Sequence, residues 1–245
     1  MKLDILLFTE NCGSSWICDL MGQSKNVAYL DFEPLYSLMV SENGKLSIPL
    51  YIDRLILDFN IEKFIETRKF IGLPDYTFEQ YDKLGKADIF LFKARSNEIL
   101  ESQVSSLIEH GVRIIYLKRD NLLKQAISIY KRRNLNISHF NNFFITPSVF
   151  VEINELIEVL KTIQENNTMA DKLYYGWTGF KIQFKYEDLL NDINRSLKEI
   201  EDKLGYFSVP DKGYFSKITN DDLGEAVTNY EEVLMAYKLF KNRLE

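Results

Sequence analysis

Five short apolar segments, separated by helical patterns, constrain the fold of this chain more than any other feature. They cover residues 5–8, 27–30, 89–92, 112–117 and 181–184. Runs of this length are typical of strands buried on both faces. Helical patterns follow at 15–21, 97–110, 121–133 and 188–204, with Gly111 and Gly205 as stops. Strands that alternate with helices predict βαβ units, and therefore an α/β fold with a central parallel sheet of about five strands flanked by helices.

The remaining stretches do not suggest separate domains. Residues 45–86 and 135–176 are mostly helical and irregular in pattern, and we interpret them as insertions on one core or as a cap over it. The 245 residues contain no internal repeat and no linker rich in proline and glycine. We therefore expect a single domain over residues 1–245.

Composition excludes several classes of protein. The chain has 36 acidic and 30 basic residues, and its net charge of −6 disfavours nonspecific binding to nucleic acid. No apolar run reaches the roughly 18–20 residues of a membrane span. Asp4 interrupts the first apolar run, so the N-terminus predicts a strand of a cytoplasmic protein rather than a signal peptide. Cys12 and Cys18 are too few for a disulfide framework or a zinc site.

The turn after the first strand is the first candidate for chemistry. Residues 9–14 form a polar turn with one glycine, Gly13, and Ser14 or Ser15 is placed to cap the following helix. Free backbone N–H groups at a helix start bind phosphate. The turn lacks the lysine of a Walker P-loop, which disfavours ATP chemistry with magnesium. The alternative is an ordinary turn between a strand and a helix.

Charged residues at the ends of other strands are the next candidates. Arg119 follows the fourth strand and Ser128 lies in the next helix, and together they would suit a phosphate monoester. Lys93 and Glu33 also follow strands, and the carboxylate of Glu33 is a candidate general base. The alternatives are a surface arginine, a serine facing solvent and a turn glutamate. Neither histidine has partners at ligand spacing, so we expect no metal site.

Together these segments resemble the sulfotransferases that use 3′-phosphoadenosine-5′-phosphosulfate (PAPS), in particular their bacterial carbohydrate and glycolipid branch. Residues 10–15, Glu-Asn-Cys-Gly-Ser-Ser, are similar to that family's 5′-phosphosulfate loop, and residues 119–128 to its 3′-phosphate segment. Further similar segments are Phe-Glu-Pro-Leu at 32–35, Tyr-Glu-Asp-Leu-Leu-Asn-Asp at 186–192, and residues 217–220 and 229–233.

The resemblance implies a P-loop nucleotide-kinase-like fold and a metal-free reaction. A sulfuryl group would pass from PAPS to a hydroxyl of a carbohydrate or other small molecule, leaving 3′,5′-ADP (PAP). Glu33 would accept the proton of the acceptor. The residues implied to bind PAPS are Asn11, Cys12, Gly13, Ser14, Ser15, Trp16, Arg119, Ser128 and Lys217.

Two departures from the family loop affect this interpretation. Asn11 stands where the family has an arginine or lysine that neutralises the leaving group, and Glu10 replaces a proline. Loss of one such donor costs about a hundredfold or more in rate. Lys93 is therefore our candidate for the missing charge. The alternatives are a protein that binds PAPS or PAP without turnover, and a small-molecule kinase with a degenerate P-loop.

Overall fold

The computed structural model describes residues 2–29, 86–99, 101–135, 147–210 and 222–243. Their five strands form one parallel sheet, and the prediction of an α/β fold is confirmed. The spatial order is β2-β3-β1-β4-β5, which makes β1 the central strand. The strands are β1 Lys2–Phe8, β2 Val27–Tyr29, β3 Ile89–Arg95, β4 Arg113–Lys118 and β5 Lys181–Lys185.

The register brings the carboxyl ends of the strands to one edge of the sheet. Phe8 at the end of β1 lies opposite Arg95 of β3 and Leu117 of β4. Lys118 at the end of β4 lies opposite Lys185 of β5. The turns that follow these strands therefore meet at the same edge, which is where open α/β sheets bind ligands.

Helices connect and cover the strands. A 3₁₀ turn, Ser96–Glu98, follows β3. None of the helices in the described part of the chain has both the length and the apolar character needed to cross a membrane. The helices are α1 Ser14–Gly22, α2 Glu101–Glu109, α3 Leu122–Leu135, α4 Ile153–Gly176, α5 Tyr186–Asn191, α6 Ile193–Leu204, α7 Leu223–Ala226 and α8 Tyr230–Lys241.

Helix boundaries differ from the sequence prediction in three places. The helix predicted over 188–204 is two helices, because Asp192 leaves the helical conformation and its side chain accepts a hydrogen bond from the Arg195 N–H at 3.0 Å. The helix predicted over 97–110 begins as the 3₁₀ turn after β3. At α1, neither serine is the cap: Gly13 occupies that position in the left-handed conformation.

Alternating side chains of the sheet build a core on each face. On one face Ile5, Leu7 and Tyr116 pack with Ala170 of α4 and with Trp177. The other face packs against α1 and α6 in a cluster that contains Leu6, Phe8, Leu91, Ile115, Ile17, Leu20, Leu197 and Ile200. Each fully buried side chain of this size contributes about 1.5–3 kcal/mol. A three-layer arrangement follows, with the sheet between helices.

Helix α4 is part of this core, although its residues fall in the stretch interpreted as an insertion or cap. Its Leu156, Leu160 and Ile163 are buried in a third cluster with α3 and the C-terminal helices. Asn229 fixes the C-terminal segment to the chain before α4. Its Oδ1 accepts a hydrogen bond from the Val151 N–H at 2.9 Å, and its Nδ2 donates one to the Val151 carbonyl at 3.0 Å. Most of residues 45–86 lie outside the described residues.

Candidate functional site

The turn between β1 and α1, residues Thr9 to Ser15, lies at the carboxyl edge of the sheet and is called the anion loop below. Asn11 and Gly13 both have positive φ, 55° and 86°. Asparagine and glycine tolerate this conformation best. No side chain caps the start of α1. The loop therefore presents a helix N-terminus whose first N–H groups favour an anion.

Tyr186, the first residue of α5, packs directly over Gly13. A Cβ atom built on Gly13 would lie 2.4 Å from Cε2 of the Tyr186 ring. Trp16 meets the same ring edge to face, with ring centres 6.3 Å apart. Gly13 is thus required for two reasons, its positive φ and the closeness of the ring.

Arg119, which follows β4, reaches the anion loop. Its Nη1 donates a hydrogen bond of 2.8 Å to the carbonyl of Asn11, and its guanidinium lies 4.7 Å from the centre of the Tyr186 ring. The residue is buried. Arginine is suited to such a position because its planar, permanently charged group can stack and donate at once.

Lys93 of β3 reaches the loop from the other side of β1. Its Nζ donates a hydrogen bond of 2.9 Å to Oγ of Ser15, and it lies 5.7 Å from the centre of the Phe8 ring. The lysine is 5% exposed. A buried ammonium group needs anionic or polar partners, and among the described residues the hydroxyl of Ser15 accepts its hydrogen bond.

Ser128 and Gln125 of α3 also contact the loop. The amide of Asn11 donates to Ser128 Oγ at 3.3 Å, and the amide of Gln125 donates to Thr9 Oγ1 at 3.2 Å and to the carbonyl of Glu10 at 2.5 Å. Arg119 and Ser128, paired from the sequence, thus converge on the same residue, Asn11.

Three buried polar atoms of this group have no hydrogen-bond partner among the described residues. They are Arg119 Nε, Asn11 Oδ1 and Gln125 Oε1. Buried polar groups in proteins are nearly always paired, so such a cluster is characteristic of a ligand site. One unpaired N–H of a guanidinium and two amide oxygens fit a ligand that carries both phosphate oxygens and hydroxyl or amino groups.

Glu10, the acidic departure in the loop, is neutralised by α3. Its carboxylate forms an ion pair with Arg132 and a second one of 3.6 Å with Arg133. Lys93 and Arg119 contact other parts of the loop and add two further positive charges to it. The loop therefore keeps a positive environment despite Glu10.

The other loop residues divide into buried and accessible ones. Cys12 is fully buried in the apolar cluster, and burial raises the pKa of its thiol to about 11. The thiol therefore stays neutral, and Cys12 can contact a ligand only through its backbone. Ser14 is mostly buried, whereas Ser15 and Trp16 are partly exposed. Glu33 and Lys217 lie outside the described residues.

The structure adds residues that the sequence did not single out. Glu187 accepts hydrogen bonds from the N–H groups of Asp120 and Asn121, at 3.1 and 3.0 Å, and thereby holds the turn before α3. Asn121 caps the helix itself, because its Oδ1 accepts from the Lys124 N–H at 2.9 Å. Tyr186, Glu187, Gln125 and Arg132 are all part of the site's framework. The Tyr-Glu-Asp-Leu segment that begins at Tyr186 could have pointed to Tyr186 and Glu187, but in the sequence it indicated only a helix.

A cleft of about 790 Å³ opens beside the end of β4. Asp120 and Asn121, which directly follow Arg119, form one wall, and Tyr230 and Tyr237 of α8 line the other. No group of three potential metal ligands occurs among the described residues. The site as described can bind an anion through backbone N–H groups, two buried cations and hydroxyls.

Similarity to known proteins is found in the fold and not in the sequence. No known protein family matches the sequence, and no curated protein is detectably similar to it. Among solved structures, the fold is similar to the sulfotransferase domain from the curacin biosynthetic pathway, with a TM-score of 0.47 and 10% sequence identity. The similarity covers 92% of this chain and 82% of that domain. Identity this low does not establish function.

Proposed function

We propose that the chain transfers a sulfuryl group from PAPS to a hydroxyl of a carbohydrate or other small molecule. The observation that carries the proposal is the convergence of Lys93 and Arg119 on the anion loop, from strands on opposite sides of β1. The order of sulfotransferase-like segments in the sequence supports the same assignment.

The loop residues would hold the 5′ end of the nucleotide. Backbone N–H groups at the start of α1 and the hydroxyl of Ser15 would donate to the phosphosulfate. Lys93 donates a hydrogen bond to that hydroxyl, so its charge would lie beside the phosphate that gains charge as it leaves. In this role Lys93 would substitute for the arginine or lysine that Asn11 replaces.

Arg119 and Ser128 would hold the 3′-phosphate, with Lys217 as a third donor expected from the sequence. The unpaired Nε of Arg119 is a donor available for a phosphate oxygen. Trp16 and Tyr186 offer aromatic surface beside this group. Glu33 would accept the proton as the acceptor oxygen forms its bond to sulfur and the bond from sulfur to the phosphate oxygen breaks.

Binding and turnover measurements on the intact chain test the proposal. PAP should raise the melting temperature and bind in calorimetry, whereas ATP with Mg²⁺ should do neither. PAP release from PAPS, measured with a panel of sugars, should be seen in the parent and fall in Glu33→Gln with PAP affinity unchanged. Binding of PAP without release of PAP from PAPS would favour the alternative of a non-catalytic binding protein. The neutral side chain of Asn11 is the feature of the sequence that favours this alternative. Stabilisation by ATP with Mg²⁺ alone would overturn the proposal.

A further inference from the structure

We infer that Gln125 and Arg132 of α3 are positioning residues for the anion loop, and that Arg132 also neutralises Glu10 so that the loop can accept a multiply charged anion. The inference rests on the proposed function only for the identity of that anion.

The contacts place one face of α3 against the loop. Gln125, Ser128 and Arg132 are spaced by three and four residues, which puts them on the same side of a helix. Gln125 contacts the Thr9 hydroxyl and the Glu10 carbonyl. Ser128 contacts the Asn11 amide, and Arg132 contacts the Glu10 carboxylate. Backbone and side chains of the loop are thus both held by this helix.

The opposite face of α3 is anchored in the core. Leu123, Ile127 and Tyr130 lie on that face, where they are buried and pack with α4 and with the C-terminal helices. Gln125 itself is fully buried. A side chain that is buried on a packed helix has little freedom, so its amide fixes the position of the loop carbonyl that it bonds.

The charge of Glu10 gives Arg132 its second role. Glu10 lies two residues before Cys12 in a loop proposed to bind phosphosulfate, and an unpaired carboxylate there would repel the ligand. Arg132 is 30% exposed and pairs closely with Glu10, whereas Arg133 is 53% exposed and lies at 3.6 Å. Arg133 therefore offers a matched control that removes the same charge from the adjacent position.

Calorimetry with PAP separates the electrostatic role from a merely structural one. Arg132→Gln should weaken PAP binding by about tenfold, and Arg133→Gln by much less. Glu10→Gln should bind PAP at least as tightly as the parent. The double variant Glu10→Gln with Arg132→Gln should regain affinity relative to Arg132→Gln, and Arg132→Lys should keep it. If Glu10→Gln weakens binding as much as Arg132→Gln does, the neutralising role is wrong.

Amide hydrogen exchange without ligand tests the positioning role by itself. The Ile17 N–H donates a hydrogen bond of 3.1 Å to the carbonyl of Gly13, so its exchange depends on the position of the loop. Exchange at Ile17 should be faster in Gln125→Ala and Arg132→Gln than in the parent, and unchanged in Arg133→Gln. Unchanged exchange in both variants would overturn the positioning role. A parent that does not bind PAP would overturn the proposed function instead, and the exchange result would still decide whether α3 positions the loop.

Discussion

Lys93 and Ser15 are joined by a hydrogen bond of 2.9 Å between Nζ and Oγ, although 78 residues separate them in the chain. The bond brings a buried ammonium group from β3 to the first turn of α1. It places a positive charge at the start of α1, and in the proposed reaction this charge would replace the one that Asn11 does not supply.

Removal of this charge should nearly abolish turnover. Lys93→Ala should lower PAP release from PAPS by about a hundredfold or more, because a preorganised donor on the leaving group is lost. Lys161, a surface lysine of α4 paired with Glu158, provides the control. Lys161→Ala removes the same charge and should leave turnover unchanged. Full activity in Lys93→Ala would mean that another residue neutralises the leaving group.

Arg119 should determine PAP affinity. A hydrogen bond to a charged group contributes about 1.5–3 kcal/mol, so Arg119→Ala should weaken PAP binding in calorimetry by roughly tenfold to a hundredfold. Arg119→Lys should recover only part of the affinity, because an ammonium group cannot bond Asn11 and stack on Tyr186 at once. Ser128→Ala should have a smaller effect, since it removes a neutral hydroxyl. Equal PAP affinity in the parent and Arg119→Ala would remove Arg119 from the site.

Gly13 should tolerate no side chain. Gly111 has a similar positive φ of 71° but has open space where its Cβ would be, so the two glycines form a matched pair. Gly111→Ala should lower the free energy of unfolding by about 1–2 kcal/mol through backbone strain alone. Gly13→Ala adds the clash with Tyr186 and should cost about 2–5 kcal/mol. Urea unfolding measures both, and equal losses would argue against the packing of Tyr186 on the loop.

Cys12 should be unreactive in the folded protein. Burial raises the pKa of its thiol to about 11, so almost no thiolate exists at pH 8 and iodoacetamide should modify Cys12 only after unfolding. Because the folded pKa is the higher one, the contribution to stability is fully present below about pH 9 and is lost as the pH rises towards 11. Peptide mapping by mass spectrometry reports the modification. Rapid labelling of Cys12 at pH 8 under native conditions would contradict the buried loop geometry.

The strands of this protein could be predicted from the sequence because a strand that is buried on two faces is a continuous run of apolar residues. Each of the five apolar runs became a strand, since an unbroken run of this length suits a parallel sheet with helices on both sides. Helix ends were less certain: Gly111 and Gly205 ended helices as expected, with φ of 71° and 72°. The break at Asp192 depends on one side-chain contact and was missed.

The site was only partly determined by the sequence. The loop glycine and Arg119 could be named because each follows a strand, and strand ends of a parallel sheet share an edge. Lys93 was expected just after the third strand, but β3 extends to Arg95 and Lys93 lies within it. The order of the strands in the sheet determines which of these residues lie close to one another. With β1 between β3 and β4, Lys93 and Arg119 approach the same loop from two sides, across 78 and 108 residues of chain.

Only the tertiary structure decided what the loop departures mean. From the sequence, Glu10 was an unfavourable charge and Asn11 a lost cation. In the fold, α3 pairs Glu10 with Arg132, and Asn11 becomes the residue on which Arg119 and Ser128 converge. No local pattern encodes these contacts, because they arise when helix α3 packs its apolar face into the core and turns its polar face to the loop.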